Sequence, residues 1–122
     1  MLSIGTVVLG VDDLPRAKQF WMAALGYVPR DPGDDTFVVL VPPDGAGGTH
    51  LALDLSETPV QEHPRVHLDL YTDRPDAEVA RLLELGAADP AWDLYPDRPH
   101  DFVVLADTEG NRFCVIDKGF EG

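Results

Sequence analysis

The chain is poor in sulfur, in positive charge and in long apolar runs, and each shortage closes off a class of function. It holds one cysteine, Cys114. No disulfide can form within the chain, and a zinc cage built from its own thiolates is excluded. Lysine and arginine number 9 against 22 aspartates and glutamates, for a net charge of −13. Such a surface repels a phosphate backbone and an anionic membrane, so neither nucleic acid nor a membrane is an expected partner. The longest apolar runs, such as Phe37–Val41, are far too short to span a bilayer. Asp12 and Asp13 interrupt the apolar start and no basic residue precedes it, which is not the pattern of a secretory leader. A cytoplasmic location is the expectation that follows.

What is present is the composition of a folded domain: 122 residues, 44% hydrophobic and 25% charged. That is enough for one domain, or for two small modules sharing a core. The acidity keeps the protein soluble, and it also suits a cationic ligand.

The chain repeats itself. Asp13-Leu14-Pro15-Arg16-Ala17 matches Asp73-Arg74-Pro75-Asp76-Ala77, and each run leads to a Leu-Gly pair, Leu25-Gly26 and Leu85-Gly86. The separation from Asp to Gly is 13 residues in both copies. Phe37-Val38-Val39-Leu40 then recurs as Phe102-Val103-Val104-Leu105. Matches in the same order at nearly constant spacing indicate a duplication.

Each copy reads as strand, helix and three strands. Strands are expected near 6–11, 27–30, 36–41 and 50–55, and again near 66–71, 88–94, 101–106 and 112–117. Asp13 and Asp73 are suited to cap the helices, Pro15 and Pro75 fit their first turns, and Gly26 and Gly86 fit their ends. Leu14, Ala17, Phe20, Trp21, Ala24 and Leu25 form one apolar helix face, and Ala77, Val79, Ala80, Leu82 and Leu83 form a broader one. The fold expected is α+β: two tandem βαβββ modules, at about 3–55 and 65–118, joined by a linker at 56–64. Each has a curved mixed sheet covered by one helix. Together they form a cavity, because one helix covers only one face of each sheet.

Strand alternation then sorts the residues. Val7, Leu9, Val11, Leu51, Leu53, Leu55, Val66, Leu68, Leu70, Phe113 and Val115 are assigned to the helix side. The opposite side receives Thr6, Val8, His50, Ala52, Asp54, His67, Asp69, Tyr71, Arg112, Cys114 and Ile116. It is rich in groups that bind or react.

At this point a family resemblance is visible. The paired βαβββ plan, the run from Asp13 through Phe20-Trp21 to Leu25-Gly26-Tyr27, Arg65-Val66-His67-Leu68-Asp69-Leu70, and Asp107-Thr108-Glu109-Gly110-Asn111-Arg112-Phe113-Cys114-Val115 together resemble the glyoxalase/bleomycin-resistance/extradiol-dioxygenase superfamily, also called the vicinal oxygen chelate fold. The likeness covers nearly the whole chain and is nearest to the small glyoxalase-like domain proteins. It implies four positions around a divalent ion in the metal-dependent members. These fall on Thr6, Ala52 (with Asp54 as the nearby carboxylate), His67 and Cys114. Only His67 is the usual ligand, and Cys114 would bind metal only as a thiolate. Glyoxalase chemistry needs a metal and a carboxylate, and extradiol cleavage needs two histidines and a carboxylate. Neither set stands in the matching slots. No cofactor is expected, and a displaced divalent metal on His50, Asp54 and His67 is disfavoured.

The candidate ligand-binding residues are His67, Asp69, His50, Asp54, Cys114, Trp92 and Tyr95. His67 serves equally as a remnant ligand, a base or a structural hydrogen-bonding group. Asp69 orients His67, binds a cation or is a satisfied strand-end carboxylate. Cys114 reads as a small wall residue, since no motif supplies a thiolate. Trp92 and Tyr95 lie in a proline-rich stretch and are suited to wall a pocket or a dimer contact. The Gly45-Ala46-Gly47-Gly48 segment reads as a hairpin turn, not a phosphate loop. The expected function is small-molecule binding at a degenerate, metal-free site, as in drug or metabolite sequestration, with a cationic or aromatic ligand and a homodimeric assembly. The alternatives are a lyase, isomerase or dioxygenase-type enzyme using His67 with a displaced metal or an acid–base pair, and an inert partner-binding module.

Overall fold

The computed structural model describes residues 1–44, 46–91 and 101–119. It divides into two compact units, Met1–Pro59 and Val60–Gly122. Trp92, Tyr95 and the last three residues of the strand expected at 88–94 lie outside the described residues, as does Gly45.

The first unit runs β1 (Thr6–Val11), α1 (Leu14–Leu25), β2 (Val28–Pro29), β3 (Phe37–Val41) and β4 (His50–Leu55). Its sheet order is β1-β4-β3-β2, parallel between β1 and β4 and antiparallel elsewhere. The Asp13 side chain caps α1 by accepting from the Arg16 N–H at 3.0 Å, and Pro15 sits in the first turn. Gly26 ends the helix at φ 71°, where its N–H reaches the Met22 carbonyl at 2.9 Å. A residue with a Cβ is strained in that conformation. The buried helix face is Leu14, Ala17, Phe20 and Trp21, with the two rings edge to face at 5.1 Å between centroids. These residues pack on a core that includes Val38, Leu40, Leu51 and Leu53. Asp34 launches β3: its carboxylate accepts from the Thr36 N–H, the Thr36 hydroxyl and the Phe37 N–H at 2.8–3.0 Å.

The second unit runs β5 (Asp69–Thr72), α2 (Pro75–Leu85), β6 (Phe102–Ala106) and β7 (Arg112–Asp117). Its order is β5-β7-β6, with β5 parallel to β7. An isolated bridge from Ala88 to Ala106 takes the edge position that β2 holds in the first unit. The β6–β7 connection is a tight turn in which buried Asp107 accepts from the Glu109 and Asn111 N–H groups at 2.8 and 2.9 Å.

Several local expectations need correction. The first strand of the second unit starts at Asp69, so Val66 lies before it and is 81% exposed, not turned to the helix. Leu55, the last residue of β4, is 45% exposed and not turned into the core. The α2 cap is Arg74, not Asp73, and it makes no side-chain cap bond. The Arg74 N–H instead donates to the Thr72 hydroxyl oxygen at 3.0 Å. Only Leu82 of α2 is buried, while Ala77, Ala80 and Leu83 are exposed.

Candidate functional site

The sheet registers place equivalent residues side by side. In the first unit Val8, Ala52 and Val39 form one cross-strand row. In the second, Asp69, Cys114 and Val104 form the matching row. One row further along, Gly10, Asp54 and Phe37 correspond to Tyr71, Ile116 and Phe102. Directly paired residues share a face of a sheet. The side away from α2 therefore carries Asp69, Tyr71, Cys114 and Ile116, with Phe113 and Val115 buried on the other side.

His67 lies two residues before Asp69. Its Nε2 is 2.9 Å from Asp69 Oδ1, and both side chains are 44% exposed. Which ring nitrogen carries the proton follows from that bond: a neutral ring that donates to the carboxylate does so through Nε2. Cys114 lies opposite Asp69 and is a free, half-buried thiol. Its pKa is pushed up to about 11, by burial first, then by the charge and hydrogen bond of Asp69, then by the charge of Asp101. The thiol therefore stays protonated at neutral pH, and the site is not a thiolate nucleophile. Arg112 stands two residues before Cys114. Its Nη1 donates to the Gly110 carbonyl at 2.9 Å, and its buried Nε has no hydrogen-bond partner.

Among the described residues, the group with metal-ligating donors is His67, Asp69 and Cys114, whose donor atoms all lie within 4.8 Å of one another. Nitrogen, oxygen and sulfur together suit a thiophilic ion better than a hard one. The four slots implied by the family resemblance are a poorer fit. Ala52, fully buried, has no donor, Thr6 offers a hydroxyl, and Cys114 holds its proton tightly. Those four residues do not match the divalent-ion site of the metal-dependent members.

The sequence-derived candidates thus fall into three sets. His67, Asp69 and Cys114 come together. His50 and Asp54 lie on β4 of the first unit, half-buried and exposed respectively. Trp92 and Tyr95 are outside the described residues. Two groups missed as site candidates are Tyr71, which shares the open face, and Asp101, which acts on Cys114 through its charge. Alternation already put Tyr71 beside Asp69. No sequence signal ties Asp101 to Cys114, since only the β6–β7 pairing brings them near.

Comparison with known proteins supports this reading of the framework. No curated protein matches the chain. Among solved structures, a protein from Agrobacterium tumefaciens is 24% identical with a TM-score of 0.70, covering 100% of both chains. A glyoxalase-related enzyme from Fulvimarina pelagi is 18% identical with a TM-score of 0.66, over 95% of this chain and 88% of its own. The genomically encoded fosfomycin resistance protein of Listeria monocytogenes, solved as a mutant with Mn(II) and 1S,2S-dihydroxypropylphosphonic acid, is 16% identical with a TM-score of 0.70, over 96% and 91%. At these identities the likeness is one of fold. The family model for the glyoxalase-like domain matches residues 6–116, and the chain belongs to that family.

Proposed function

We propose that the chain binds a small organic cation with an aromatic or apolar body on the open face of the β5-β7-β6 sheet, without a metal, as a sequestering protein. The observation that carries this reading is the Asp69 carboxylate, 44% exposed on β5 and directly opposite Cys114. A cation beside it gains Coulomb attraction. Tyr71, Ile116 and Phe102 in the next row supply apolar surface. Structures of the same fold include a glyoxalase/bleomycin resistance protein from Albidiferax ferrireducens, which makes drug capture a fitting role.

The test is a fluorescence titration at pH 8 with N-methylacridinium, a permanent aromatic cation, against neutral acridine. Tighter binding of the cation, weakened about tenfold in Asp69→Asn, is expected, which corresponds to roughly 1.4 kcal/mol for one charged contact. Equal affinity for the two probes overturns the reading. Stoichiometric metal that is retained on purification and lost in His67→Ala overturns its metal-free part.

A second reading rests on the 2.9 Å His67–Asp69 pair, which could serve as the acid–base couple of a lyase or isomerase. Turnover with a pH profile that disappears in His67→Ala would favour it over binding alone. The proposal also takes the protein as a cytoplasmic homodimer, in which a second copy covers exposed apolar side chains such as Val8 and Val66. Light scattering after size exclusion tests the dimer. No helix among the described residues is long and apolar enough to cross a membrane.

A further inference from the structure

The open face of β5 holds one more feature. Tyr71 follows Asp69 by two residues, so the two side chains rise from one face roughly 7 Å apart along the strand. Tyr71 is 67% exposed, and the Lys118 ammonium lies over its ring, 4.4 Å from the centroid. Lys118 directly follows β7, and its backbone N–H donates to the Thr72 carbonyl at 2.9 Å. That bond fixes the root of the side chain beside the end of β5, while the flexible four-carbon stem leaves the ammonium free to leave the ring. The fold thus already seats a cation on this aromatic face.

We infer that Lys118 is a tethered competitor for the cation subsite that Tyr71 forms beside Asp69, and that a bound organic cation displaces the lysine from the ring. The inference rests on the cation-binding reading above and adds to it what holds the subsite when ligand is absent. One face of a ring accepts one cation, and a second positive charge a few ångströms away repels the first. The lysine contact is exposed and therefore weak. A ligand that also lays an apolar body over Ile116 and Phe102 replaces it, but with reduced affinity. Removing the competing ammonium raises affinity by about two- to five-fold, the factor equivalent to one exposed cation–π contact.

The experiment is the N-methylacridinium titration on the full chain at pH 8, for the natural sequence, Lys118→Met, Tyr71→Leu and the double variant. Lys118→Met is expected to tighten binding about two- to five-fold, Tyr71→Leu to weaken it, and the gain from Lys118→Met to vanish once Tyr71 is gone. Unchanged or weaker binding in Lys118→Met overturns the inference and leaves the contact as surface decoration. An equal gain with and without Tyr71 also overturns it, because that is a general charge effect. A second readout follows the Lys118 side-chain methylene signals by NMR. The ring shifts them upfield in the free protein, and saturating probe must release them; if they stay shifted while probe binds, the competitor idea fails. Binding that needs Asp69 but ignores Lys118 sinks this inference alone. No binding in any variant sinks the cation-binding reading and this inference with it.

Discussion

The two units share one topology and differ in what they put on it. The middle row of the first sheet is Val8, Ala52 and Val39, and the same row of the second is Asp69, Cys114 and Val104. The first helix buries four side chains, Trp21 among them, whereas the second buries Leu82 alone. Val38 in the first unit is 2% exposed, and its counterpart Val103 is 41% exposed. Duplication supplied a framework twice. One copy carries more of the packing, and the other carries a cluster of polar groups that the first lacks. A framework held by backbone pairing tolerates this division, because ladder hydrogen bonds do not depend on which side chains face outward.

The comparison can be broken first where its energetic side is largest. Trp21→Ala should destabilise the protein by about 3–5 kcal/mol in a denaturant titration, since the ring is 1% exposed and its loss leaves a large cavity. A smaller effect for this variant than for Leu82→Ala would reverse the assignment of packing to the first unit.

The chemical side is sharpened by making the second row resemble the first. The double substitution Asp69→Val with Cys114→Ala should keep the fold, within about 1 kcal/mol, because both replacements suit a sheet interior or edge. It should abolish the preference for N-methylacridinium over acridine. Retained preference would place cation recognition elsewhere.

A smaller effect concerns backbone geometry. Gly33 has φ 67°, and a Cβ there would lie 2.7 Å from the Phe37 carbonyl oxygen. Gly33→Ala should therefore cost about 1–2 kcal/mol, read as a lowered melting temperature, with cation binding by the second unit unchanged.

The smallest effect is a change in thiol reactivity. The Cys114 pKa of about 11 lies above its ordinary 9.0. The folded state thus holds this proton more tightly than the unfolded chain does. Its contribution to stability is complete below about pH 9 and is lost as the pH rises through about 11. Alkylation of Cys114 at pH 8 should be slower than that of a free thiol and should speed up in Asp69→Asn. An unaltered rate in that variant would show that the Asp69 carboxylate does not contribute to the raised pKa.

Much of this was legible from residue order. The Asp13 cap, the Gly26 terminus, four of the six residues expected on the buried face of α1 and the bounds of β1, β4 and β7 follow from spacing alone. The failures have local causes. Asp73 precedes Pro75 at the spacing of Asp13 and Pro15, yet the chain enters α2 one residue later and Asp73 loses the cap. Val66 fits an alternating strand, but bonding to β7 is seen from Leu68 onward, whose carbonyl accepts from the Cys114 N–H at 2.9 Å, and Val66 stays outside β5. Asp34 went unnoticed because a turn that satisfies three donors needs only one carboxylate and leaves no periodic trace.

The candidate site was half legible. Alternation placed His67, Asp69 and Cys114 on one face, since successive side chains of a strand must point to opposite sides. It could not rank them against His50 and Asp54, which satisfy the same rule. By itself the sequence determined the duplicated plan, the strand faces and the acidic charge, because these depend on neighbours a few residues apart. Only the tertiary structure decided that Asp69 stands beside Cys114 and that Lys118 covers Tyr71. Those contacts join residues 45 and 47 positions apart, and strand register, not local pattern, fixes such distances.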